Sequence, residues 1–148
     1  MAKKREIKIR ASLKSKVIKS KEKEMGKFNS FEEINSWQKA RVFNKRVYLI
    51  TENENFKKDY DLVRQIRRAS ISISSNIAEG FERNTDKEFV YFLYVAKASA
   101  GEVRSQLYLA FDLDYITKEE FQQLLESVTE ISKLLSGFIK YLESSRKV

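Results

Sequence analysis

The chain has 148 residues, 42% of them hydrophobic, which suits one ordinary domain with a real core. It has no Pro and four Gly, favouring long helices over a turn-rich all-β fold; without Cys or His it excludes disulfides, thiolate or imidazole metal sites, a Ser-His-Asp triad, Glu-x-x-His di-iron centres and the Arg/His pair of small helical ribonucleases. The net charge of +8 sits in residues 1–27, where 11 Lys/Arg face three Glu, while residues 28–148 balance 18 basic against 18 acidic residues.

Any bulk electrostatic attraction to nucleic acid therefore belongs to the N-terminal segment, and the rest must act through local patches. No stretch approaches the roughly 20 apolar residues of a transmembrane helix. The basic N-terminus lacks the apolar run of a secretory signal. A reducing cytoplasm is the expected location, and no cofactor, metal or membrane partner is expected.

Residues 1–27 read as a flexible basic tail, opened by Lys3, Lys4 and Arg5, which are candidate nucleic-acid contacts. Ile9, Leu13 and Val17 lie four apart, so a weak amphipathic helix on an anionic surface is an alternative. Met25 stands directly before the ordered-looking sequence and is an alternative start.

Residues 28–148 read as one domain. Ser30 and Glu33 match a capping box, predicting a first helix from Ser30 to about Ile50 with Ile34, Trp37, Ala40, Val47 and Tyr48 facing inward. Residues 51–58 break the pattern and read as a loop. The second helix is predicted over about Asp59–Glu79, with Leu62, Ile66, Ala69, Ile73 and Ile77 on one face and Gly80 as its stop. Its Ser-Ile alternation resembles a strand, but the helical spacing continues on both sides. The serines from Ser70 to Ser75 are expected to let a neighbouring helix approach closely.

Thr85 and Glu88 cap a third helix reaching about Asp112, with Phe89, Phe92, Leu93, Ala96, Ala100, Val103, Leu107 and Ala110 as its core face. Thr117 and Glu120 cap a fourth, running to about Ser144 with Phe121, Leu124, Leu125, Val128, Ile131, Leu135, Phe138 and Leu142 inward. Four helices with short connections predict an all-α, antiparallel, up-down-up-down four-helix bundle with a basic N-terminal extension.

Two faces are left over. The third helix carries Tyr91, Tyr94, Val95, Ala98 and Leu109 opposite its core side, and Ile71 lies about 140° from Ile66 on the second. This outward apolar stripe is read as a contact between subunits; ordinary amphipathic surface tyrosines are the alternative. Arg64, Arg67 and Arg68 are candidate phosphate contacts, against a solvated face, pairing with Glu79, Glu82 or Glu102 of a neighbour, or docking of an acidic protein. They lack an interleaved, exposed aromatic platform of the kind that reads single strands. Ser74 and Ser75 have no base at a fixed offset, and no Gly-rich phosphate loop exists, so no catalytic residue is expected. Asn76 reads as a hydrogen-bonding residue at a helix end or interface.

Three segments, SFEEINSWQKA, QIRRASISISSNIAEGFER and KEFVYFLYVAKASAGEVRSQL, resemble the 23S rRNA intervening-sequence protein family of four-helix bundles, over roughly Phe28–Leu142. The residues before Met25 depart from the family pattern. The resemblance implies a ring-shaped homopentamer without accepted catalytic residues, whose basic motif on the second helix maps onto Arg64, Arg67 and Arg68. It also implies kinship with the accessory variability determinants of diversity-generating retroelements, which bind a reverse transcriptase and nucleic acid. The expected function is a non-enzymatic, oligomeric nucleic-acid-binding protein, RNA before DNA; an accessory scaffold for a reverse transcriptase or another RNA-processing protein is the alternative.

Overall fold

The structure is a computed structural model describing residues 2–12 and 28–145. All regular structure among the described residues is helical. Residues 2–12 form α1, exposed along its whole length; Leu13, Val17 and Met25 lie outside the described residues. The bundle comprises α2 (Asn35–Ile50), α3 (Tyr60–Phe81), α4 (Asp86–Asp112) and α5 (Lys118–Ser145). Each packs on the next, and α2 closes against α5. Cross-helix pairs run in opposite residue order (Ser72 with Ser99 and Phe81 with Phe89; Tyr94 with Glu143 and Phe111 with Phe121), so these neighbours are antiparallel.

The core stripe emerges on α3 as the spacing predicts: Ile66, Ile73 and Ile77 are fully buried, with Leu62 and Ala69 nearly so. Each such isoleucine contributes about 1.5–3 kcal/mol relative to an exposed one. Leu93 and Leu107 of α4 and Leu124, Ile131 and Leu135 of α5 meet them.

Helix starts follow local chemistry where nothing competes. Thr117 and Glu120 form a full reciprocal box: Glu120 N–H donates to Thr117 Oγ1 (3.1 Å) and Thr117 N–H to Glu120 Oε1 (2.9 Å). At α4, Thr85 Oγ1 caps Glu88 N–H at 3.2 Å, but the Glu88 carboxylate accepts from the Thr85 hydroxyl instead of a backbone N–H. Asp59 caps α3 by accepting from Leu62 N–H.

The Ser30 box does not start the first long helix. It opens a single 3-10 turn, Phe31–Glu33, and Ser30 makes no side-chain cap bond; Glu33 accepts from Asn29 N–H at 3.0 Å instead. The chain is then extended at Ile34 (φ −73°, ψ 121°), whose side chain is wholly buried, and α2 begins at Asn35. Burying that isoleucine is worth more than the roughly 1 kcal/mol of a cap.

Gly80 does not stop α3 either. It lies inside the helix, which runs to Phe81, and no glycine among the described residues has positive φ. Its role is close approach: a Cβ there would sit 2.7 Å from Phe92 Cβ and 3.3 Å from Phe89 O. The serines add bonds where the helices approach: the Ser72 and Ser99 hydroxyls meet directly between α3 and α4. They form polar rungs: Ser70 Oγ donates to Asn44 Oδ1 (2.7 Å), Asn44 Nδ2 to Ser74 Oγ (2.9 Å), and the Ser72 and Ser99 hydroxyls share a 2.9 Å bond. Such rungs penalise a register slip, because a shifted helix would leave buried polar groups unpaired. Asn76 supports the last rung by donating to Ser72 O and Oγ, at the α3–α4 interface.

Residues 51–58 contain more order than a loop. Phe56 is fully buried in a second 3-10 turn, held by Asn53, whose Oδ1 accepts from Phe56 N–H and whose Nδ2 donates to Tyr115 O, both at 2.7 Å. Tyr115 follows Asp114, the residue with positive φ (60°) in the α4–α5 turn. There Tyr115 N–H bonds Ala110 O and Asp114 N–H bonds Phe111 O, a Schellman arrangement with Asp in the place usually taken by Gly.

Candidate nucleic-acid interface

Arg64, Arg67 and Arg68 do not behave alike. Arg67 is a structural tie. Its Nε donates to Thr51 Oγ1 at 2.8 Å, one terminal nitrogen pairs with Glu52 at 2.7 Å, and the guanidinium lies 4.4 Å over the Tyr48 ring. Thr51, buried at the end of α2, donates in turn to Val47 O. Arg67 thus fastens α3 to the end of α2, its side chain only 23% exposed, so less of its guanidinium is open to a phosphate than at Arg64. Arg64 and Arg68 point to solvent. Arg64 is 76% exposed with Asp61 at a long 3.9 Å, and Arg68 has no ion pair among the described residues. At that exposure the Asp61 contact is worth little.

The intersubunit acids offered as alternative partners are partly occupied within the chain. Glu79 pairs with Arg83 at 2.9 Å, and Glu102 accepts from Gln106 Nε2 at 3.3 Å.

These arginines line a shallow groove of about 520 Å³ on the outer side of α3, floored by Val63 and Ile71. Two tyrosines border it. Tyr48 comes from α2, where the sequence pattern had assigned it to the core; it is 40% exposed beneath Arg67, and Phe43 takes the inward place instead. Tyr60, the first residue of α3, is 79% exposed and makes no hydrogen bond or ring contact among the described residues. Exposed tyrosines therefore stand beside the arginines, where no exposed aromatic platform was expected. Tyr60 was legible as an aromatic four residues before Arg64; Tyr48 reaches the groove only through the α2–α3 packing.

The expected subunit-contact residues lie on the outside. Tyr91, Tyr94 and Leu109 are exposed at 64%, 49% and 48%, Ile71 and Ala98 are exposed, and Val95 is half-buried. Tyr94 is partly engaged within the chain: its hydroxyl donates to Glu143 Oε1 at 3.0 Å, and that bond holds its pKa above the ordinary tyrosine value. Tyr115 is raised likewise by its bond to Asp59. Lys3, Lys4 and Arg5 are exposed on α1. Among the described residues no group of three or more Asp or Glu is placed to hold a metal ion, and no helix is long and apolar enough to cross a membrane.

The molecule is thus an all-α bundle with a basic, tyrosine-bordered groove on one outer helix. The chain belongs to the 23S rRNA-intervening sequence protein family, whose pattern matches residues 32–137. It is also similar to a crystal structure from Bacteroides thetaiotaomicron described as a protein with unknown function from the S23 ribosomal protein family. The two are 31% identical, the match covers 71% of this chain and 98% of that one, and the TM-score is 0.66. No curated protein matches the chain.

Proposed function

We infer that this protein is a non-enzymatic, oligomeric nucleic-acid-binding bundle that prefers RNA to DNA. The observation that carries the reading is the groove in which exposed Arg64 and Arg68 stand beside Tyr60 and Tyr48. Guanidinium groups at these positions bind backbone phosphates, so the attraction is steeply salt-dependent and weakly sequence-specific. Lys3, Lys4 and Arg5 on exposed α1 add further cations to the chain. In a ring of identical subunits, the expected homopentamer, the same patch recurs around the axis and the field adds. The exposed Tyr91, Leu109 and Ile71 support the self-contact.

The test is RNA affinity as a function of salt. Arg64→Ala and Arg68→Ala should each lower affinity and reduce the slope of log K against log salt by about 0.7–1. Binding that ignores salt, or is untouched by both substitutions, refutes the reading. Light scattering tests assembly separately: Tyr91→Asp should dissociate the oligomer while retaining helicity, and a native protein monomeric at micromolar concentration removes the self-contact.

The same exposed apolar face favours a second reading, an accessory ring that recruits a reverse transcriptase or another RNA-processing protein, as in diversity-generating retroelements. Capture of such an enzyme by a protein that ignores RNA at every salt would favour it.

A further inference from the structure

We propose that the α3 groove accepts a single-stranded RNA segment, with one unpaired base stacked on Tyr60 and the next two phosphates along the strand held by Arg64 and Arg68. This rests on the nucleic-acid reading and narrows it to unpaired RNA.

Tyr60, Arg64 and Arg68 stand four residues apart, so they form one stripe with steps of about 6 Å along the helix axis. Aromatic, cation, cation at that repeat matches base, phosphate, phosphate along an unstacked strand, in which each nucleotide is drawn out to its full backbone length.

Exposure is the second point. A tyrosine 79% open to solvent, without a hydrogen bond or ring contact among the described residues, offers a free π-face at the end of a basic groove. In a duplex the base faces are already stacked on one another and the A-form major groove is too deep and narrow for side chains, so a free ring has nothing there to stack on. Unpaired bases offer that face, and stacking does not depend on base identity.

The third point is rigidity. Arg67 is spent on Thr51 and Glu52 and covers Tyr48, so it keeps the groove wall in place. The cations left for phosphate are those whose side chains reach water, Arg64 and Arg68. Val63 adds an apolar surface suited to the edge of a base or ribose. Asp61, the acid paired with Arg64, stands at 3.9 Å and leaves most of that guanidinium free.

Fluorescence anisotropy of the full chain with a short unpaired RNA, and with a blunt RNA duplex carrying the same number of phosphates, tests the proposal. The unpaired RNA should bind about tenfold tighter. Tyr60→Ala should weaken its binding about tenfold or more while leaving the salt slope unchanged, and Tyr60→Phe should retain it. Melting curves check that both variants fold, as expected for so exposed a position.

If the duplex binds equally well and Tyr60→Ala changes nothing while Arg64→Ala and Arg68→Ala still weaken both RNAs, the stacking inference falls and the phosphate reading stands. Equal weakening of both RNAs by Tyr60→Ala also overturns the single-strand assignment. If neither RNA binds at low salt, both readings fall together.

Discussion

Replacing Gly80 by Ala isolates the close approach of α3 and α4. The added Cβ would lie 2.7 Å from Phe92 Cβ, 3.3 Å from Phe89 O and 3.6 Å from Phe89 Cα. Ordinary carbon contacts are about 3.5–4.0 Å, so the helices must part by about 1 Å. Two of the opposing atoms belong to the backbone and the third is attached to it, so no side-chain rotation relieves the overlap. Overpacking of this kind costs about 1–3 kcal/mol, while Ala in place of a mid-helix Gly gains up to about 1 kcal/mol. The net expectation is a loss of about 1 kcal/mol, or roughly 2–4 °C in Tm for a domain of this size. Gly137 on α5 is the control, since nothing lies within 4 Å of a Cβ there. Gly137→Ala should gain about 0.5–1 kcal/mol from helix propensity alone. Urea unfolding of both variants at one protein concentration holds any contribution from assembly fixed. If Gly80→Ala raises the midpoint as Gly137→Ala does, the helices are not in tight contact at this point.

Arg67→Ala should cost about 1–2 kcal/mol in urea unfolding, because it removes charge-assisted bonds to Thr51 and Glu52, and Arg67→Lys should not rescue it, since a single ammonium cannot reproduce the fork. Tyr115 and Tyr94 both titrate above their ordinary value of 10.0, held neutral by donating to Asp59 and Glu143. A raised folded-state pKa gives stability that is complete below the unfolded value and lost as pH climbs through the folded one. Thermal midpoints should therefore decline above about pH 10, and less steeply in Tyr115→Phe; Lys57, raised by its bond to Glu54, adds a decline of the same sign. Asp114→Gly should be neutral or stabilising by up to about 1 kcal/mol because the residue sits at φ 60°, whereas Asp114→Val should destabilise by at least that much, both read by chemical denaturation.

The amino-acid sequence by itself determined the elements that depend on local spacing. Helical periodicity of Ile66, Ile73 and Ile77, the Thr117–Glu120 box and the absence of Pro specify four long helices, since such interactions span three or four residues and recur within one helix. The outward position of Tyr91 and Leu109 was equally legible, because a helical wheel places them without reference to any partner.

Tertiary structure decided what depends on the competition between elements. Ile34 broke the predicted first turn because its burial outweighed a cap, and Gly80 became a contact point because α4 passes close to it. Arg67 and Tyr48 are 19 residues apart, and only the antiparallel packing of α2 on α3 brings the guanidinium over the ring. That pairing separates three arginines identical in sequence chemistry into one that holds the fold and two that face water. A charge pattern along one helix specifies which residues are cations. The partners supplied by neighbouring helices decide which of those cations remain free to meet a ligand.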